Sequence, residues 1–279
     1  MLHSHCVGDK RQPALVLLHG FLGSGADWQP LLAKLSQQFY CITLDLPGHG
    51  ASQVTLPNAP DLTLLAQGQT VKHADAVLQH CADLVQQTVQ ALGIQQYHLL
   101  GYSLGGRIAL HVAARYTAQL LSLQLESCHP GLNTEQERQQ RAANDVQWQH
   151  RLQQQSMRQF LTAWYQQAVF AELTPAQREA LIAQREQQNI SALLAMYAGT
   201  SLALQARLWQ LPQQLTCPVH YYYGSQDAKF GAIASQWQAA APVTLHPVAN
   251  VGHNCHKGQP AAFLAQLLPT LNSIAENHA

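Results

Sequence analysis

The segment Gly101-Tyr102-Ser103-Leu104-Gly105 sets a serine between two glycines, after the apolar run Tyr97 to Leu100 and ahead of the helix-compatible stretch Gly106 to Arg115. That context marks a nucleophile elbow, because a strained strand-to-helix turn needs small neighbours and lifts the serine hydroxyl to the edge of a sheet. A serine hydroxyl is a poor nucleophile and a poor base at its free pKa, so an imidazole must take its proton and a carboxylate must orient the imidazole. Behind such an elbow both come from downstream, the acid before the histidine. Asp227 follows Tyr221-Tyr222-Tyr223 at the end of Gly224-Ser225-Gln226-Asp227, where a loop at a strand's carboxyl end reaches the same edge as Ser103. His253, in Gly252-His253-Asn254, comes just after the last apolar run. The plainer readings are a chance Gly-rich loop, an exposed loop aspartate and one more of 15 histidines. Chain order and the strand ends favour Ser103, Asp227 and His253, with His256 as the rival histidine.

Chemistry at such a serine needs backbone N–H donors for a developing oxyanion, one from the residue after the nucleophile and one from an early strand-to-helix loop. Leu104 supplies the first, and Phe21 in His19-Gly20-Phe21-Leu22-Gly23 the second. His19 is read as a loop-orienting residue, and Asp45-Leu46-Pro47-Gly48-His49-Gly50 as an architectural turn. Arg107 lies four residues beyond Ser103, about 6 Å along a helix whose N-terminus faces the site. A guanidinium there suits a carboxylate-bearing ligand and is awkward for a neutral ester, since an unpaired buried charge is costly. A surface arginine is the alternative.

Positioning these groups falls to short apolar runs, Ala14 to Leu18, Tyr40 to Leu44, Tyr97 to Leu100, Leu121 to Leu125 and Val219 to Tyr223, with Val243 to Val248 where an eighth strand would stand. Helical patterns from about Asp75 to Leu92 and from Pro260 to Leu271 accompany them, so the alternation predicts an α/β fold with a mostly parallel sheet flanked by helices. Between about Glu135 and Leu208 the text turns Gln-rich and strand-poor, with helix-like spacing of Trp148, Leu152, Phe160, Trp164 and Tyr197 and a Thr174-Pro175 start signal. The expectation is one core domain, 1–132 and 209–279, with a helical cap inserted at 133–208.

Fifteen Lys+Arg balance 15 Asp+Glu without a basic stripe, which leaves out nucleic acid as partner. No apolar run approaches the roughly 18 residues of a membrane helix, and the N-terminus lacks a signal-peptide pattern. Six cysteines without a CxxC or regular framework fit free thiols in the cytoplasm. Cys255 between His253 and His256 lacks the second ligand pair of a zinc site, so no metal is expected. A monomer is the default.

Gly101 to Arg107, His129-Pro130-Gly131-Leu132, Trp164-Tyr165-Gln166-Gln167 with Val169-Phe170, Asp227-Ala228-Lys229-Phe230 and Gly252-His253-Asn254 with His256 together resemble the α/β-hydrolase superfamily. Within it they are similar to the 2-succinyl-6-hydroxy-2,4-cyclohexadiene-1-carboxylate synthase family of menaquinone biosynthesis, over most of the chain. The resemblance implies an α/β-hydrolase fold and elimination of pyruvate from an enolpyruvyl-bearing cyclohexene, with the serine, histidine and aspartate acting as base and no metal or organic cofactor. It implies a small polycarboxylate substrate, held by Arg107 and by two cap arginines, Arg141 and Arg185, which spacing alone would make solvated charges. It makes Tyr102, Trp164 and Phe170 pocket-lining. Two departures stand out: Glu126-Ser127-Cys128 precedes His129 where glycines are usual, and the stretch Gln53 to Lys72 is long. The competing readings are a carboxylesterase or carbon–carbon bond hydrolase using the same triad, and a ligand-binding receptor on this fold.

Overall fold

The computed structural model describes residues 1–72 and 74–275. Seven strands, β1 (Ser4–Val7), β2 (Ala14–Leu18), β3 (Tyr40–Leu44), β4 (Tyr97–Tyr102), β5 (Leu120–Glu126), β6 (Val219–Gly224) and β7 (Thr244–Val248), form one sheet in the order β1-β3-β2-β4-β5-β6-β7. All pairings are parallel except β1 with β3. The run at Val243 to Val248 is therefore the seventh strand among the described residues, and Ser4–Val7 is a strand the apolar runs did not announce. Its polar SHCV text and half-exposed edge position carry little hydrophobic signal.

Helices cover both faces: α1 (Gln29–Leu35), α2 (Leu62–Ala66), α3 (Ala76–Ala91), α4 (Leu104–Tyr116), α5 (Glu135–Gln154), α6 (Met157–Trp164), α7 (Pro175–Arg185), α8 (Ile190–Gly199), α9 (Ala228–Ala240), α10 (Cys255–Gly258) and α11 (Pro260–Ala275). Strands covered on both sides read as continuous apolar runs, and every residue of β2 and β3 is buried. The period of two divides them. Val16 and Leu18 join Ile42, Leu99, Ile108 and Trp237 on one face, whereas Leu15 and Leu17 join Cys41, Leu100, Trp28 and Phe263 on the other.

Between β5 and β6 the chain leaves the sheet and forms α5 to α8. Thr134 caps α5 in a reciprocal box with Glu137, and Thr174 caps α7 with Pro175 in its first turn. These helices close over Leu22, which is buried among Leu152, Phe160, Leu161, Tyr165 and Leu193, while Phe21 meets Trp164 at 5.3 Å between ring centres. The long stretch from Gln53 carries α2, whose Leu62 and Leu65 pack on Ala142 and Leu204. That insertion buttresses the inserted helices.

The elbow depends on two close approaches. A Cβ on Gly105 would come within 2.2 Å of the Leu18 carbonyl oxygen, and one on Gly101 within 2.5 Å of the Gly105 oxygen. Helix propensity alone would favour alanine at Gly105 by about 1 kcal/mol, so the sign of Gly105→Ala is set by backbone that cannot move aside. We expect Gly105→Ala to destabilise the fold by about 1–3 kcal/mol or more in urea unfolding. Stability equal to or above that of the parent would show that helix and sheet are not in contact there.

Candidate active site

Ser103 stands between β4 and α4 at φ 51° and ψ −108°, a strained conformation that turns its side chain out of the sheet. Its amide donates to the Glu126 carbonyl on β5 at 2.9 Å. Asp227 follows β6 and caps α9, one carboxyl oxygen accepting from the Phe230 amide at 3.1 Å and the other 2.9 Å from His253 Nδ1. Burial opposes the charge on Asp227, but the bonds from His253 and the Phe230 amide outweigh it and hold the carboxyl below its ordinary pKa. An ionised carboxylate only accepts, so Nδ1 carries the proton and Nε2 is left as acceptor. Phe230 at 4.6 Å and Tyr102 at 5.5 Å hold the imidazole ring in place.

Ser103 and His253 line a cavity of about 520 Å³ together with Phe21, Tyr102, Trp164 and Phe170. Ser103 Oγ makes no hydrogen bond to a described residue, leaving it free to turn toward a ligand. At the loop after β2, the Phe21 amide has no backbone acceptor among the described residues, and Leu104 opens α4, where no intrahelical acceptor exists. The loop is braced by imidazoles. His19 accepts from the Leu46 amide at 2.9 Å, and His49 accepts from the Leu22 amide at 3.1 Å. Burial lowers the pKa of both, that of His49 to about 3, so these rings are neutral props.

A second, smaller cavity of about 90 Å³ opens from Ser103 and is lined by Arg107, Cys128, His129, Arg141 and Lys229. Arg107 bonds to Gln205 Oε1 and, at 2.6 Å, to the Thr200 carbonyl, both neutral partners. Burial, then the charge of Arg141, lowers its pKa to about 9, which still leaves it a cation at neutral pH. Arg141 and Arg185 are not the lone solvated charges that spacing alone suggests, because both are paired with acids. Arg141 Nε meets both Asp145 oxygens at 2.9 and 2.8 Å, and Arg185 lies 3.2 Å from Asp27 with Tyr165 OH beside it.

Lys229, Asp27, Lys257 and Glu126 were not singled out as site residues from sequence. Lys229 and Lys257 lie two and four residues after Asp227 and His253, a signal that was available; Glu126 stood out only as a departure before His129, and Asp27 had no signal, being joined to the site only in space. Asp27 is buried between Arg185 on α7 and Lys257 on α10. Burial alone would raise its pKa, but those two cations bring it down to about 2. His256 is removed as a rival to His253. It is buried with Nδ1 2.7 Å from Glu126, stacks on Trp28 at 4.1 Å, and does not line the cavity. Among the described residues no three His, Cys, Asp or Glu side chains converge on a metal-sized site.

Sheet order, elbow and inserted helices define an alpha/beta hydrolase, and the model of that fold family matches residues 13–258; the chain belongs to it. Within it the chain belongs with the 2-succinyl-6-hydroxy-2,4-cyclohexadiene-1-carboxylate synthases. The one from Enterobacter sp. strain 638 is 41% identical over 93% of this chain and 92% of its own length. The one from Klebsiella pneumoniae is 39% identical over 95% and 96%. Among solved structures, that of MenH from S. aureus superposes with a TM-score of 0.85 at 22% identity, covering 99% of this chain and all of that one, a likeness of fold. No helix among the described residues is long and apolar enough to cross a membrane.

Two outcomes follow from this geometry. The rate at which a fluorophosphonate labels Ser103 should fall by about 1000-fold in His253→Ala and by a comparable factor in Asp227→Asn, and by clearly less in His256→Ala; the reverse order of the histidines would refute the assignment. Asp27 has a folded pKa below its unfolded value of 3.8, so its contribution is complete above that value and is lost as the pH falls through about 2. Asp27→Asn should therefore cost about 2 kcal/mol at neutral pH, with the gap to the parent narrowing below about pH 4 in urea titrations. A pH-independent gap would contradict it.

Proposed function

We propose that the chain eliminates pyruvate from 2-succinyl-5-enolpyruvyl-6-hydroxy-3-cyclohexene-1-carboxylate, giving 2-succinyl-6-hydroxy-2,4-cyclohexadiene-1-carboxylate in menaquinone (vitamin K2) biosynthesis. The observation that carries the reading is the charge beside the serine. Arg107 is part-buried and hydrogen-bonds to neutral partners alone, and the exposed Lys229 makes no hydrogen bond or ion pair with a described residue, so two cations without a salt-bridge partner stand beside Ser103. Closing a ligand over such charges is costly unless the ligand brings an anion to them. A carboxylate-rich substrate supplies that anion, and a neutral ester does not.

The reaction balances with the groups present. Ser103 Oγ passes its proton to His253 Nε2 and takes one from the ring carbon that bears the succinyl ketone. The electron pair moves into the ring, the existing double bond shifts, and the bond from ring carbon to enolpyruvyl oxygen breaks. Enolpyruvate departs and becomes pyruvate on gaining a proton at its methylene carbon. Negative charge grows on the ketone oxygen, where the Phe21 and Leu104 amides stand as an oxyanion hole. Asp227 stabilises the imidazolium and fixes its tautomer. In this reading Tyr102, Trp164 and Phe170 cover the ring, Arg185 and Arg141 receive outer carboxylates, and residues 133–208 act as a cap on a core of 1–132 and 209–279. No step calls for a cofactor. A cytoplasmic site of action fits the six free cysteines, five of them buried.

Steady-state kinetics with the carboxylated precursor and with neutral aryl esters test the reading. Ser103→Ala should lose pyruvate release by about 1000-fold or more. Arg107→Ala and Lys229→Ala should each cost about 2–4 kcal/mol in kcat/KM, and Arg107→Lys should lose clearly as well, because a point charge does not reproduce the guanidinium fork. Efficient cleavage of neutral esters by the parent, with no loss toward the precursor in these variants, would favour the carboxylesterase.

A further inference from the structure

Glu126 ends β5, fully buried, where the chain leaves the sheet toward His129. Its backbone and side chain serve different parts of the site. The carbonyl accepts the Ser103 amide at 2.9 Å, and Glu126 faces Tyr102 in the β4–β5 register. One carboxyl oxygen accepts from the Cys255 amide at 2.7 Å and the His256 amide at 3.2 Å, and the other lies 2.7 Å from His256 Nδ1. These donors belong to the two residues that follow His253 and Asn254. One residue thus ties the nucleophile's backbone to the histidine loop.

The imidazole of His256 continues the tie. It is clamped between Trp28, stacked at 4.1 Å, and the edge of Tyr102 at 5.0 Å, and Tyr102 in turn lies against His253 at 5.5 Å. His253 itself is anchored by a single side-chain hydrogen bond, to Asp227. That bond sets the tautomer and tilt of the ring, but it does not fix how far the ring stands from Ser103. The distance between the two is set by what joins their backbones. We propose that Glu126, with His256, is a positioning pair that holds His253 at working distance from Ser103, a second carboxyl–imidazole unit lying behind the first and never touching substrate. The proposal rests on the triad reading given above.

A positioning role separates from a structural one in kinetics. Glu126→Gln keeps the volume and one acceptor oxygen but offers an NH2 group to His256 Nδ1. It should lower kcat for pyruvate release about tenfold or more at nearly unchanged KM, since misplacing a reacting group by ~1 Å costs on the order of 100-fold. His256→Asn, which can keep a donor near the position of Nδ1, should lie closer to the parent than His256→Leu. Fluorophosphonate labelling of Ser103 should slow in the same order. If Glu126→Gln folds, by near-ultraviolet circular dichroism and urea unfolding, and both its kcat and its labelling rate match those of the parent, the pair is structural only and the proposal fails. A rise in KM with kcat unchanged also overturns it. Should the parent release no pyruvate at all, the lyase reading fails by itself, and the labelling rates of Glu126→Gln and the two His256 variants still decide the positioning role.

Discussion

The contact between α4 and the sheet governs this molecule. Ser103 can stand at φ 51° only because Gly101 and Gly105 let strand, turn and helix meet backbone to backbone, with the Leu18 carbonyl filling the space a side chain would take. From that crossing follow the open amide of Leu104, the direction of the serine hydroxyl and the placement of Arg107 one turn along the helix. The strain is spread over central strands whose residues are wholly buried, so the core compensates for it. An elbow on an edge strand would lack that support.

Charge is distributed with a consistent logic. Acids accompany Arg141 and Arg185, two of the cations on the inserted helices, and these pairs join that layer to itself or to the sheet domain. Arg107 and Lys229, beside the serine, make no salt bridge with a described residue. Cations held beside a reacting group give specificity, because a ligand that covers them without bringing an anion removes their water and leaves them unpaired. The same feature explains how a site with a hydrolase triad can serve elimination: recognition of carboxylates decides which ring carbon stands over the serine, and fold does not.

The elbow, the order of acid and histidine, and most strands were legible in the sequence because each is a local pattern, a glycine spacing or an apolar run ended by a turn. Strand β1 was not, being short, polar and at the edge. Neither were the ionic partners. Asp27 is separated from Arg185 by 158 residues and Glu126 from His256 by 130, and nothing in local text links them. Chain position favoured His253 over His256 without excluding the rival. Burial did, since one ring faces the cavity and the other is enclosed by Trp28 and Tyr102. Ser127 and Cys128 have local consequences: Ser127 adopts φ 46° without being glycine, and Cys128 abuts Gly106.

The central claim is that Ser103 removes a proton and does not become acylated. Single-turnover reaction with precursor deuterated at the ring carbon bearing the succinyl group tests it most directly, with pyruvate release followed in time and the intact enzyme mass taken at each point. The account predicts slower release from the deuterated substrate, through a primary isotope effect, with the enzyme mass unchanged throughout. A transient mass increase located on Ser103, together with release insensitive to deuterium, would contradict it.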